Sequence, residues 1–460
     1  MKTITHWIET RTGLISAVAS FFREEIPASS GWHQVFGSVA LFSFLVQLLT
    51  GILLALNFAP TASEAHDSMK YILMEITGGR LIRQLHHWGA SLMIVIVVLH
   101  MVQVLLWGAY KKPREATWIS GVVLLLLTLG YGLTGYLLPW DNRAYWGTVV
   151  AVQISGTAPA LGPWVQELLG APNGQVGAVT FSRFYTLHVI LLPLATLALV
   201  ALHVTLVRRH GVAPQPGDET RPPKRFYPGQ VFKDTVAIFV AFAVLFTLAI
   251  VARVPLEPRA NPIDTNYVPR PDWYFLFLFQ LLKFFEGPLE VFGTVILPTL
   301  AILVLLALPF LDRGRFVPVA KRGVAFAGVS LAMLGWGALT YAAIASTPET
   351  VTFDVTTVEP WQTMPPKALA ATADGAPDFA VEAAKLYNKL ACAACHRVNG
   401  EGGRSGPALN GLLLRRDRAW IEGHFFEPQK YSPGTPMPPY RLPPAQMDAM
   451  VRWLLALPPE

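Results

Sequence analysis

A chain of 460 residues with 53% hydrophobic and 14% charged residues is not a string of ordinary soluble domains, in which about a quarter of the residues are charged. The same composition excludes intrinsic disorder and coiled coil. The net charge of +6 is too modest, and its basic residues too closely tied to apolar segments, for nucleic-acid binding to be the main role.

Residues 1–25 carry Lys2, Arg11 and Arg23 before any apolar run and read as a surface-lying amphipathic segment, not a cleavable signal. A helix needs about 20 apolar residues to cross a bilayer. Stretches free of Asp, Glu, Lys and Arg fall at 26–63 (most apolar near 35–58), 84–110, 116–140, 184–207, 235–252, 291–311 and 323–348, which predicts seven spans. Residues 271–286 hold an apolar run of about ten, too short to cross and suited to a helix lying in the interface. Lys and Arg concentrate on the side of the N-terminus, as in Lys111, Lys112, Arg114, Arg208, Arg209, Arg313, Arg315, Lys321 and Arg322. The positive-inside rule therefore predicts a cytoplasmic N-terminus in a bacterial-type inner membrane, and an odd number of spans puts the C-terminus outside. Residues 349–377, rich in Thr, Pro and Ala, read as a linker. Residues 378–460 form a compact, water-compatible stretch with helical patterns near 378–391 and 443–456.

Ionisable residues inside spans are functional candidates. The second span carries His86 and His100, fourteen apart; the fourth carries His188 and His203, fifteen apart. Fourteen helical residues rise about 21 Å and return to within about 40° of the same face. Each pair marks two depths on one stripe, so two such helices make two bis-histidine sites: His86 with His188 on the outer side and His100 with His203 on the inner. Imidazole suits iron, and helix bundles hold cofactors between facing helices. A lone histidine is more often a core or interfacial residue, the reading kept for His33, His66, His87, His210 and His424. Glycines repeat the spacing: Gly37 and Gly51 in the first span, Gly121 and Gly135 in the third, again fourteen apart. Glycine costs up to about 1 kcal/mol in a helix, but it lets a flat ligand approach the backbone; two levels of glycine facing two levels of histidine suit two stacked haems.

Only two cysteines occur, in Cys392-Ala393-Ala394-Cys395-His396. Two thioethers and an adjacent axial imidazole are a haem-attachment signature. A redox dithiol or half a zinc site leaves His396 unexplained. Gly434-Thr435-Pro436-Met437-Pro438 offers a distal thioether, while Met447 and Met450 lie on the last helical pattern and read as core. A Met/His pair raises the potential relative to bis-histidine haems.

The run from Arg83 through His86 to Gly89-Ala90-Ser91 and His100 resembles the second helix of cytochrome b. Arg183-Phe184-Tyr185 before His188, Gly135-Tyr136-Leu137-Leu138-Pro139-Trp140 and Pro271-Asp272-Trp273-Tyr274 resemble further segments of that family, the last its quinol-site signature. The likeness covers about residues 15–346, in the chloroplast and Gram-positive style but with both parts joined; residues 378–460 resemble a class I cytochrome c. The resemblance implies an all-α fold: a seven-helix transmembrane bundle holding two stacked b haems, plus a small all-α cytochrome c domain. Residues 1–210 are the four-helix haem-binding part, 211–348 the three-helix part with the quinol segment, 349–377 the linker and 378–460 the cytochrome c domain. Arg83 would help hold a propionate. The position that anchors an extra covalent haem in chloroplast-style relatives is Val35 here, which excludes it.

Asp272 opens an aromatic wall and could take a proton from a quinol bound at the outer surface, with Tyr136 and Tyr274 lining the pocket; a carboxylate capping the helix start is the plainer reading. The family usually has Glu there, one methylene longer. On the inner side Arg208 is a candidate for a quinone oxygen or a propionate, or a simple positive-inside anchor, and Glu24 and Glu25 are weaker candidates for proton delivery. The expected function is the haem subunit of a proton-translocating quinol–cytochrome c oxidoreductase. A Rieske centre needs two cysteines and two histidines; both cysteines are already used, so that protein is a separate subunit. Other implied partners are the quinone pool, a downstream cytochrome or oxidase, the lipid membrane and a second copy in a homodimer. Two alternatives stay open: a quinone-linked haem conduit without a Rieske partner, and a transporter-like bundle whose histidines relay protons.

Overall fold

A computed structural model describes residues 2–264, 267–346, 353–372 and 375–459. Among the described residues, seven helices are long and apolar enough to cross a membrane: α1 (Trp32–Ala55), α2 (Gly79–Trp107), α3 (Glu115–Tyr136), α4 (Ala178–His210), α5 (Gly229–Val251), α6 (Phe292–Leu311) and α7 (Gly323–Ser346). Each falls on one of the predicted spans. Their runs of Leu, Ala and Val satisfy every backbone group internally, as hydrocarbon requires. Helix ends follow local chemistry. The second helix lies between Gly78 (φ 77°) and Gly108 (φ 64°), both left-handed, a conformation that glycine adopts without penalty. Leu194 and Phe239 are 62% and 70% exposed, as lipid-facing side chains of a multi-pass membrane protein are.

The chain divides into two compact units, Met1–Val254 with Ala260–Thr347, and Pro255–Arg259 with Pro348–Glu460. In the first, α1 packs on α2, α3 on α4, and α2 also contacts α3, α5 and α7. A buried charge cluster ties the α2–α3 connection to the α6–α7 connection: Asp312 accepts from Lys111 Nζ at 2.7 Å, Tyr110 Oη at 2.6 Å and Arg322 at 3.1 Å. Lys111 and Arg322 are buried, and buried charges need such partners.

The second unit holds α8 (Pro366–Thr372), α9 (Asp378–Lys389), α10 (Arg418–Phe426) and α11 (Pro444–Ala456). Tyr387 of α9 meets Trp453 of α11 edge-on at 5.5 Å between centroids, and Met447 and Met450 are buried beside them. The expected linker, 349–377, is corrected in its described part. Leu369 is fully buried in this core, with Trp361 and Met364 packed against it. Asn399 donates to the carbonyls of Gln362 and Met364 at 3.0 and 2.7 Å. Apolar residues widely spaced in a Thr/Pro/Ala-rich stretch were enough to dock it. Residues 349–352 and 373–374 of the expected linker lie outside the described residues. Leu256, expected within the three-helix part, is fully buried in this unit, and its carbonyl accepts from Val355 N–H at 2.9 Å.

Candidate haem and quinone sites

The four histidines and four glycines of the bundle meet in matched pairs. A Cβ built on Gly37 would lie 3.4 Å from His100 Cε1, on Gly51 3.2 Å from His86, on Gly121 3.3 Å from His203, and on Gly135 2.5 Å from His188. The glycines of α1 thus face the histidines of α2, and those of α3 face those of α4. The rings of His86 and His188 lie 6.3 Å apart, centroid to centroid. Two imidazoles bound through their far nitrogens to one metal, at about 2.0 Å each, have centroids about 6 Å apart. His100 and His203 lie against the glycines of the other level, Gly37 and Gly121.

The tautomers are set from outside the pairs. Thr50 Oγ1 is 2.9 Å from His86 Nδ1, Ser120 Oγ 2.9 Å from His203 Nδ1, and Thr134 Oγ1 3.1 Å from His188 Nδ1. Each hydroxyl already donates its one proton to a helix carbonyl, of Val46, Thr117 and Gly130 respectively. It must therefore accept from the imidazole, so Nδ1 carries the hydrogen and Nε2 keeps its lone pair for a metal. Each hydroxyl directly precedes the glycine of its own level: Thr50-Gly51, Ser120-Gly121, Thr134-Gly135. Sequence reasoning missed this signal. The fourth glycine follows Phe36, and His100 Nδ1 has no partner among the described residues.

The unequal spacings have a structural cause. His188 sits in a π-helical turn, Leu187–Leu191. Such a turn takes up one extra residue, so fifteen residues in α4 cover what fourteen cover in α2, and both levels stay matched. The donor set, its tautomers and the glycine clearances fit a flat tetrapyrrole held by two imidazoles at each level. Arg83, three residues before His86, is buried and donates to the Val254 carbonyl.

In the second unit, Cys392, His396 and Met437 line one cavity. His396 Nδ1 donates to the Pro407 carbonyl at 2.9 Å, which again leaves Nε2 as the free donor. A Cβ on Gly406 would meet the His396 ring at 2.7 Å. Burial pushes the Cys392 thiol up to about 11, the opposite of what a redox dithiol needs. Cys395 is exposed. These residues fit a haem held by two thioethers, an imidazole and a thioether sulfur.

Asp272, Tyr274 and Tyr136 come together, and the residue that joins them is Arg143. Its guanidinium reaches the Asp272 carboxylate at 3.1 Å and donates to Tyr136 Oη at 3.2 Å. Tyr274 Oη donates to the other Asp272 oxygen at 3.1 Å, and Tyr136 Oη donates to the Arg270 carbonyl at 3.0 Å. The Asp272 side chain makes no capping bond, so the plainer reading of it is not realised. Trp273 Nε1 donates to Ser91 Oγ of α2 at 3.1 Å, which fixes the segment to the bundle. Sequence reasoning missed Arg143 as a site residue, since nothing in its spacing links it to Asp272.

Arg208 pairs with Glu24 at 3.7 Å, while Glu25 lies on a two-residue strand. Near the same ends, Asp234 is buried and accepts from Ser38 Oγ at 3.0 Å and Gln230 at 2.9 Å. Ser38 adjoins Gly37, so this carboxylate stands beside the His100 level; sequence reasoning missed it.

Family models for cytochrome b/b6/petB, cytochrome b(C-terminal)/b6/petD and cytochrome c match residues 25–211, 259–359 and 380–458. The cytochrome bc complex cytochrome b subunit of Chlorobaculum thiosulfatiphilum is 36% identical over 318 residues, 67% of this chain and 74% of that one. The chain belongs to the cytochrome b family. The menaquinol:cytochrome c reductase cytochrome b subunit of Geobacillus thermodenitrificans is 38% identical over 220 residues, 46% of this chain and 98% of its own. Cytochrome b of Rhodobacter capsulatus is 34% identical over 301 residues, covering 62% and 68%. A solved chain described as a hyperthermophilic respiratory Complex III superposes with a TM-score of 0.67 at 31% identity, over 75% of this chain and 92% of that one. The chain is thus the cytochrome b of a bc-type quinol–cytochrome c oxidoreductase, extended by a cytochrome c portion. Its two portions imply haem b and haem c, and membership in a bc complex implies quinone and further subunits.

Proposed function

We propose that the chain carries two b-type haems and one covalent c-type haem. Quinol is oxidised at the outer end of the bundle, one electron leaving through a separate Rieske protein to the c-type haem and the other crossing by the b-type haems to quinone inside. The observation that carries this reading is the fourfold match of histidine to glycine at two depths. When bound, these groups supply one-electron transfer across the hydrocarbon layer. His86 with His188, and His100 with His203, hold the two b-type groups, with the glycines giving the four imidazole rings room and Arg83 placed for a propionate. Cys392, Cys395, His396 and Met437 hold the third.

At the outer end Asp272 takes a quinol proton. Arg143 and Tyr274 hold the carboxylate in place until a quinol hydroxyl displaces one of them, and Tyr136 and Tyr274 form the aromatic side of the pocket. Removal of protons there and uptake inside, by way of the carboxylates of Asp234 and Glu24, makes the turnover proton-translocating, with Arg208, which keeps its proton, placed for a quinone oxygen or a propionate. The N-terminus faces the cytoplasm and the cytochrome c portion faces the outer side of an inner membrane. The complex is a homodimer whose electrons pass to a soluble or membrane-bound cytochrome or an oxidase.

The test is steady-state reduction of added cytochrome c by a quinol analogue in the purified complex, with paramagnetic resonance for a co-purifying Rieske centre. Turnover that needs the Rieske protein supports the proposal. Turnover without any Rieske centre contradicts it.

A further inference from the structure

The second unit contains an imidazole that the assigned site does not use. His424 lines the same cavity as Cys392, His396 and Met437. Its ring is fixed by packing. It stacks on Trp420, one turn earlier on α10, at 4.7 Å and 11° between planes. Trp420 carries Arg416 over its own ring at 4.5 Å, and its backbone N–H donates to the Asp417 carboxylate at 2.7 Å. Gly423 brings the helix against Tyr431: a Cβ there would run into the tyrosine ring. Helix packing therefore holds His424 at the cavity wall.

His424 Nδ1 is buried and has no hydrogen-bond partner among the described residues. A buried polar nitrogen left unpaired costs about 1–3 kcal/mol. The imidazole is among the side chains that line the cavity, where a ligand can meet it. Met437 is carried differently. It lies on irregular chain three residues after Gly434 (φ 84°), and its backbone N–H reaches Thr435 Oγ1 at 3.3 Å. The cavity lining thus offers a soft thioether on a loop and an imidazole on a helix, and both are iron donors.

We propose that His424 is a second donor to the c-type haem iron, exchanging with Met437 for the same position. The proposal rests on the reading of Cys392, Cys395 and His396 as the haem attachment. The exchange replaces one neutral two-electron donor with another. The sulfur–iron bond breaks as the nitrogen–iron bond forms, and neither the oxidation state nor the proton count changes.

The experiment uses the full chain purified in its complex, as Met437→Ala and as Met437→Ala/His424→Ala, with covalent haem staining of each. Carbon monoxide is the probe, since it binds reduced haem iron only where a position is open. In the single variant His424 closes that position. Apparent carbon monoxide affinity at the c-type haem should then be at least about tenfold weaker than in the double variant, a difference of about 1.4 kcal/mol. Equal binding in both variants overturns the proposal, because His424 then does not reach the iron. A double variant that stays closed also overturns it, because another residue is then the donor. If Met437→Ala fails to assemble, Met437→Leu, which keeps the side-chain volume, takes its place with the same outcomes. Absence of covalent haem staining in the unaltered chain is a separate failure, that of the attachment site itself.

Discussion

Replacing Gly135 with alanine should cost the His86–His188 level its haem while leaving the bundle folded. The new Cβ would stand 2.5 Å from His188 Cε1 and 3.0 Å from Nδ1. Ordinary contact begins near 3.4 Å, so the ring must retreat by about 0.9 Å or the helices must part, an overpacking that costs about 1–3 kcal/mol. Alanine returns about 0.5–1 kcal/mol of helix propensity, so net destabilisation is small. The ligand is hit harder, because metal–ligand distances tolerate only about 0.2 Å. Gly37→Ala is the internal control. Its Cβ would sit 3.4 Å from His100, an ordinary contact. Gly51 and Gly121, at 3.2 and 3.3 Å, fall between. Haem content and redox-difference spectra of the purified variants should rank the damage Gly135 first and Gly37 last. A Gly37→Ala chain that loses haem while Gly135→Ala keeps both b-type groups would refute the link between glycine clearance and ligation.

Thr134→Val removes the acceptor that fixes the His188 tautomer. Loss of such a partner costs about 10–100-fold in metal affinity, so haem occupancy under dilution should fall at that level and not at the other. Cys392→Ala should weaken or abolish covalent staining, since only Cys395 is left to form a thioether, yet leave the b-type spectrum intact, because the bundle buries its own core; loss of the b-type spectrum as well would contradict the two-unit description. Asp272→Asn should slow quinol oxidation by about 10²–10⁴-fold, the usual size of a lost general acid–base group, with haem content unchanged. An unaltered rate would place the proton acceptor elsewhere.

The seven spans were legible because hydrocarbon admits only long uncharged helices, and each span follows such a run. The histidine and glycine levels were legible for the same reason: a fixed helical period turns spacing along the chain into depth. What escaped lay where that period fails or where side chains meet across loops. The π-helical turn at Leu187–Leu191 leaves no mark in composition, yet it reconciles fifteen residues with fourteen. Arg143 and Asp272 lie 129 positions apart, joined only by tertiary packing. The hydroxyl residues before three of the four glycines were visible but carry meaning only once the histidine beside each is known. Residues 360–372 look like a linker because docking them takes few apolar side chains, chiefly Trp361, Met364 and Leu369.

Four membrane histidines paired at two depths call for two b-type haem sites. Potentiometric titration of the b-type absorbance in the unaltered complex, repeated with His203→Leu, tests it most directly. Two separable b-type components are expected beside one c-type component, with His203→Leu removing one b-type component and leaving the other titrating. A single b-type component in the unaltered protein, or loss of both from the one replacement, would contradict it.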